Sequence, residues 1–172
     1  IAVAVNGEAV YEVDETFTVV LSNAVNASIA DATGAGTITD DDAPPSLNIG
    51  DVSVVEGNSG TKRLVFALNL SAASGQAVSA SYVTADGTAD NSDYVPARGV
   101  ASFAPGETSA AVVILVNGDV FNEADETFLV NLGNPVNTTL ADAQGVGTIT
   151  NDDVLPGLSI GDVSVIEGNS GA

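Results

Sequence analysis

The run Asn117–Thr127, NGDVFNEADET, sets Asp119, Glu123, Asp125 and Glu126 between two apolar segments, and a near copy, NGEAVYEVDET, occupies Asn6–Thr16. Carboxylates at that density either hold a hard cation, work as an acid–base pair, or stand in water. The chain has 3 Lys plus Arg against 23 Asp plus Glu, a formal net charge of −20, so its own cations are too few to neutralise them. With no His and no Cys, zinc chemistry, thiolate ligation and the common nucleophilic triads are excluded. Calcium fits what remains, taking 6–8 oxygens at about 2.3–2.6 Å in an irregular cage, whereas magnesium wants an octahedron and keeps its waters. Each acidic run therefore reads as half of a calcium-binding tip.

The balance of the composition supports a folded carrier. Hydrophobic residues make up 45% and charged residues 15%, so the chain has a core, and its acids bunch rather than spread. The negative charge argues against nucleic acid and anionic membrane as partners. Nothing approaches the ~18–20 apolar residues of a membrane span, so no membrane insertion is expected. The chain starts at Ile1 with no visible signal peptide, and is expected to be a piece of something longer.

The elements that position these acids repeat. A shift of 111 residues lays Ile1–Thr61 on Val112–Ala172 without a gap, with 36 of 61 positions identical. The chain then holds the second half of one repeat (1–42), a whole repeat (47–153) and the first strand of a third (158–172). An excerpt from a tandem array, or chains that complete one another by exchanging strands, would both look this way. Within the whole repeat, alternating apolar segments predict strands at Leu47–Val55, Arg63–Leu70, Ala77–Thr84, Gly99–Phe103, Thr108–Val116, Thr127–Leu132 and Gly145–Thr150. The expected fold is all-β, a seven-stranded antiparallel immunoglobulin-like β-sandwich in tandem repeats of about 111 residues.

Strands that run alternately up and down bring the ends of the first, third, fifth and seventh to one tip. There lie Glu56, Asp86, Asp119, Glu123, Glu126, Asn151, Asp152 and Asp153, while the opposite tip (Ala72–Gly75, Pro105–Thr108, Asn134–Asn137) is nearly free of acids. At ~5 Å and an effective dielectric of ~20, each carboxylate pair costs about 3 kcal/mol, which a divalent cation offsets. Gly87 and Gly118 would allow tight turns that aim carbonyls inward, and Asp125 reads as a turn cap. Any single acid here also fits a plain solvated loop; the joint pattern at four strand ends, with a copy one repeat away, favours the ion.

VVEGNSG (54–60), VTADGTADNSDY (83–94), FAPGET (103–108), VNGDVFNEADETFLVNL (116–132) and GTITNDD (147–153) together resemble the Calx-beta family, the β-sandwich repeat of sodium–calcium exchangers, integrin β4 and many bacterial surface proteins. The resemblance implies calcium ligands at Glu56, Asp86, Asp119, Glu123, Glu126, Asp152 and Asp153, with Phe121 offering a backbone carbonyl. The corresponding residues of the first half-repeat are Glu8, Glu12, Glu15, Asp40, Asp41 and Asp42, and Glu167 is that of the third piece. Gly118 stands where the best-known exchanger domain has an acid, and Asn151 replaces an Asp, so fewer or weaker ions are expected.

The function expected first is a non-enzymatic, calcium-dependent structural repeat of a large extracellular or cell-surface protein, an adhesin or filament, with neighbouring repeats or identical chains as partners. The short linkers Ala43-Pro44-Pro45-Ser46 and Val154-Leu155-Pro156-Gly157 limit swing, so each acidic tip should abut the next repeat, and calcium should stiffen that junction. A regulatory calcium sensor of a membrane-associated protein is the second reading. Glycoside hydrolysis by Glu123 and Glu126 is the third, and lacks an aromatic-lined cleft.

Overall fold

The computed structural model describes residues 1–171. Its strands are β1 (Glu15–Val20), β2 (Thr33–Ile38), β3 (Ser46–Ile49), β4 (Val52–Val55), β5 (Thr61–Leu70), β6 (Val78–Asp86), β7 (Arg98–Phe103), β8 (Ser109–Asn117), β9 (Glu126–Val136), β10 (Thr139–Leu140) and β11 (Gln144–Thr150). Among the described residues no helix is long and apolar enough to cross a membrane. β3–β11 form a sandwich of a four-stranded sheet, β10-β3-β5-β8, and a five-stranded sheet, β4-β11-β9-β6-β7.

Period-two alternation fills the space between the sheets. Leu64, Phe66 and Leu68 of β5 and Val112, Ile114 and Val116 of β8 face Val78 and Ala80 of β6 and Phe128 and Val130 of β9, all buried. Phe66 meets Phe128 edge-on at 6.0 Å between centroids, tying the two sheets.

The first predicted strand, Leu47–Val55, is in fact two. β3 pairs antiparallel with β5, then the chain crosses and β4 pairs parallel with β11. The crossing is fixed by the Gly50 N–H donating to Ala67 O at 3.1 Å and by Asp51 Oδ1 accepting the Val146 N–H at 2.8 Å. The inward residues change from odd positions, Leu47 and Ile49, to even ones, Val52 and Val54, because the core lies on the other side of a strand that has changed sheets. A two-residue β10 also pairs parallel with β3. The sandwich thus has nine strands (β3–β11) rather than seven, and is not wholly antiparallel.

β1 and β2 form a separate hairpin. Its register, from Glu15↔Ile38 to Val20↔Thr33, is that of β9 and β11, Glu126↔Ile149 to Asn131↔Gln144, displaced by 111 residues at each of six pairs. The acidic loop before β1 touches the acid-poor tip of the sandwich. Tyr11 O accepts the Gly75 N–H at 2.9 Å and the Ser74 hydroxyl at 3.2 Å. Residues 158–171 form no strand, and Leu158, Ile160, Val163, Val165 and Ile166 are exposed.

Candidate metal centre

Glu56 follows β4, where its N–H donates to Thr150 O at 3.2 Å. It is 4% exposed, unusual for a carboxylate. Carboxylate oxygens of Glu56, Asp119 and Glu123 lie within 4.8 Å of one another, and so do those of Glu56, Asp152 and Asp153. A third triad with the same spacing joins Asp93, Glu123 and Glu126. Glu56 and Glu123 are each shared by two triads, so the three form one continuous cluster.

Asp93, not among the ligands expected from the sequence, lies in the loop between β6 and β7. That loop is a plug. The Ala89 N–H donates to Thr127 O at 2.9 Å, and Tyr94 is buried, stacked on Phe128 at 4.3 Å. The Asn117 N–H donates to Asp93 O at 2.8 Å, fixing Asp93 against the end of β8. The available signal was the aromatic directly after it in NSDY, which the core claims and which carries its neighbour to the tip. Asp86 does not enter any triad. Its Oδ1 accepts the Tyr94 hydroxyl proton at 2.6 Å, so it orients the plug.

The segment after β11 is ordered by its own hydrogen bonds. Asp152 Oδ1 accepts the Gly57 N–H at 2.9 Å, and Asp153 Oδ1 accepts from Asn58 Nδ2 at 2.6 Å. Asp153 Oδ2 is buried and has no hydrogen-bond partner, a costly state unless something else meets it. Asn151 is occupied structurally. Its N–H donates to Asp125 Oδ1 at 3.1 Å, and its Nδ2 to Asp153 O at 3.2 Å. Phe121 is 67% exposed, its N–H donating to Asp119 Oδ1 at 2.7 Å.

Gly118 and Gly87 serve close approach rather than positive-φ turns. Neither has a positive φ; a Cβ on Gly118 would lie 2.1 Å from Gly57 O, and one on Gly87 2.4 Å from Thr127 O. An acid at position 118 would not fit this backbone.

The cluster resists its own charge. Burial, then the charges of Asp119, Glu123, Asp153 and Asp152, push the Glu56 carboxyl above its ordinary value. Glu123 rises through burial and then through Asp119 and Asp93. Glu126 is pushed up to about 7 by burial and then by its hydrogen bond to Asp93. Opposite ligands on one calcium ion lie about 4.6–5.2 Å apart, so each triad fits inside a single coordination sphere. The donors are all hard carboxylate oxygens, and Asp153, whose Oδ2 is orphaned, is among the residues that offer them.

In the hairpin unit, Glu8, Glu12, Glu15, Asp40, Asp41 and Asp42 line one cavity of about 630 Å³. The Asp40 N–H donates to Asp14 Oδ1 at 3.0 Å, repeating the Asn151–Asp125 bond 111 residues earlier. Glu12 is raised, first by its hydrogen bond to Glu8 and then by the Glu8 charge. Among the described residues the close triads all fall in β3–β11, since 1–42 has no counterpart of Glu56 or Asp93. Glu167 is exposed and belongs to none of the triads.

The family model of the Calx-beta domain matches residues 1–43 and 40–154. Among solved structures, the apo form of the Calx CBD1 domain is similar at 28% identity and a TM-score of 0.53, over 63% of this chain and 98% of that one. CBD12 from CALX1.2 is similar at 29% identity and a TM-score of 0.56, over 63% of this chain and 46% of that one. The calcium binding domain CBD12 of CALX1.1 is similar at 27% identity and a TM-score of 0.54, over 62% of this chain and 46% of that one. No curated protein matches the chain.

Proposed function

The chain belongs to the Calx-beta family, and from that premise we propose that its acidic tip binds calcium as part of a structural repeat. The observation that carries this reading is Glu56, buried and shared by two carboxylate triads, one of which includes Asp153, whose Oδ2 is buried and partnerless. An ion there would be held by Glu56, Asp119, Glu123, Asp152 and Asp153, with Asp93 and Glu126 extending the site. It would supply the positive charge that three upshifted carboxylates lack, and it would cross-link the ends of β4, β8 and β11. The role is ion bridging, not catalysis.

The setting we propose is an array of about 111-residue repeats in a large extracellular or cell-surface protein, an adhesin or filament. What supports it is the 111-residue displacement of the hairpin register and the contact of Tyr11 with Ser74 and Gly75, which sets the acidic loop of one unit on the acid-poor tip of the next. Calcium in that loop would stiffen the junction.

Calorimetric titration of the chelator-treated chain with calcium tests the site. Heat with saturable stoichiometry, with affinity at least about tenfold weaker in Glu56→Gln, is expected; no binding at millimolar calcium ends the proposal. A dissociation constant near 10⁻⁴–10⁻³ M fits an extracellular spacer, while 10⁻⁷–10⁻⁵ M would move the role to a regulatory sensor.

A further inference from the structure

The outward face of β5 and β8 is apolar and free of carboxylates. Leu64, Phe66 and Leu68 of β5 and Val112, Ile114 and Val116 of β8 turn into the core, so the odd positions between them face solvent. The pairing sets these in rows: Arg63 beside Leu115, Val65 beside Val113, Ala67 beside Ala111, and Asn69 beside Ser109. Val65 is 46% exposed and Leu115 38%, and Ala67 and Ala111 are exposed as well. Val95 borders the same surface, its N–H donating to Leu115 O at 2.9 Å. None of the chain's 23 acids lies on these rows, and Arg63 is their one charged residue. For a chain of net charge −20, such a face is where a second copy meets least repulsion. The hairpin leaves it open, because Tyr11 meets the sandwich at Ser74 and Gly75, beyond the end of β5.

We propose that this face packs on the same face of a second copy, about a two-fold axis that crosses the strands between the Val65–Val113 and Ala67–Ala111 rows. The order of the rows is then self-complementary. Val65 and Val113 of each copy stand over Ala67 and Ala111 of the other, large against small, with the sheets about 10 Å apart. The Arg63–Leu115 row meets the Asn69–Ser109 row of the second copy. One row further out, about 6.8 Å along the strands, is Glu107, two residues before Ser109. Glu107 is exposed, and its Oε2 accepts the Ala104 N–H at 2.8 Å, which holds the carboxylate at the turn. An extended Arg63 side chain spans that one row, so the face's cation reaches a carboxylate of the other copy, and symmetry forms the pair twice. A slip of one row would stack Val65 on Val65 and leave Arg63 over Ala67, so the charges fix the register. The paired stretch is nine residues long, a face about 30 Å by 10 Å. A pair then buries about 600 Å² in total, below the ~1,200 Å² of stable complexes, so single chains associate weakly and reversibly. In an array of units such contacts would add along the array. That consequence rests on the repeat reading; the pairing of two chains does not.

Sedimentation equilibrium of the full chain, from about 10 μM to about 1 mM in chelator at physiological salt, tests the pairing. The weight-average mass should climb toward twice that of the chain and go no higher. Val65→Lys and, separately, Ala111→Glu change exposed side chains, so each variant should melt within a few degrees of the parent yet stay monomeric. Register is tested by exchanging the charges. Arg63→Glu and Glu107→Arg should each weaken association at least about tenfold, and the double variant should return to within about threefold of the parent. A monomer over the whole range, mass rising past the dimer, association that survives both Val65→Lys and Ala111→Glu, or a double variant no tighter than either single one would each overturn the proposal.

Discussion

Glu56 is the side chain on which the site turns. Converting it to Gln removes a buried charge that Asp119, Glu123, Asp152 and Asp153 all repel. Calcium affinity should fall at least about tenfold in titration, since both Glu56 triads lose a ligand. The chelated variant should melt a few degrees higher than the parent, because the repulsion goes too. Asp93 and Asp86 should separate in the same assay. Asp93→Asn should weaken calcium binding, whereas Asp86→Asn should act chiefly on stability through the Tyr94 hydroxyl, by about 1–2 kcal/mol in urea unfolding. Protonation adds a third test. Glu126 sits at about 7 in the folded state against 4.5 ordinarily, and Glu56 and Glu123 move in the same direction. A carboxyl raised on folding favours the folded state when protonated. In chelator the urea midpoint should therefore rise as pH falls from about 7 toward 4.5, while calcium affinity declines over the same window as protons compete.

Two elements hold the acids in place. The loop between β6 and β7 is pinned by Tyr94, so Tyr94→Ala should cost about 3–5 kcal/mol, measured by chemical unfolding, and free Asp93 from the tip. Tyr94→Phe keeps the stacking on Phe128 and should retain most of that stability. The second element is the contact of the β4 and β8 ends at Gly118. A methyl there would meet Gly57 O, so Gly118→Ala should push the ends apart and weaken calcium binding more than its modest change in volume suggests.

For the whole molecule the prediction concerns the hinge at Ala43–Ser46. If an ion in the hairpin's acidic cavity orders the loop that holds Ser74 and Gly75, calcium should narrow the distribution of angles between hairpin and sandwich. Small-angle scattering would then show a longer, better-defined maximum dimension in calcium than in chelator. An unchanged profile would confine the ion to a local role in the sandwich.

Much of this was legible in the chain. The 111-residue self-match, the seven apolar segments and the placement of Glu56, Asp119, Glu123, Glu126, Asp152 and Asp153 at one end follow from period-two alternation and strand direction, which are local properties. The break of the first strand was also present, as the change of apolar phase between Ile49 and Val52. What only the tertiary structure decided was which acids meet. Asp86 and Asp93 look alike in a polar loop; the burial of Tyr94 against Phe128 gives one to the aromatic hydroxyl and the other to the cluster. The glycine at position 118 likewise reads as a turn until β4 and β8 are seen to touch there. Alternation fixes which face a residue takes; distances between side chains from separate strands are set by packing, and packing is a property of the assembled core.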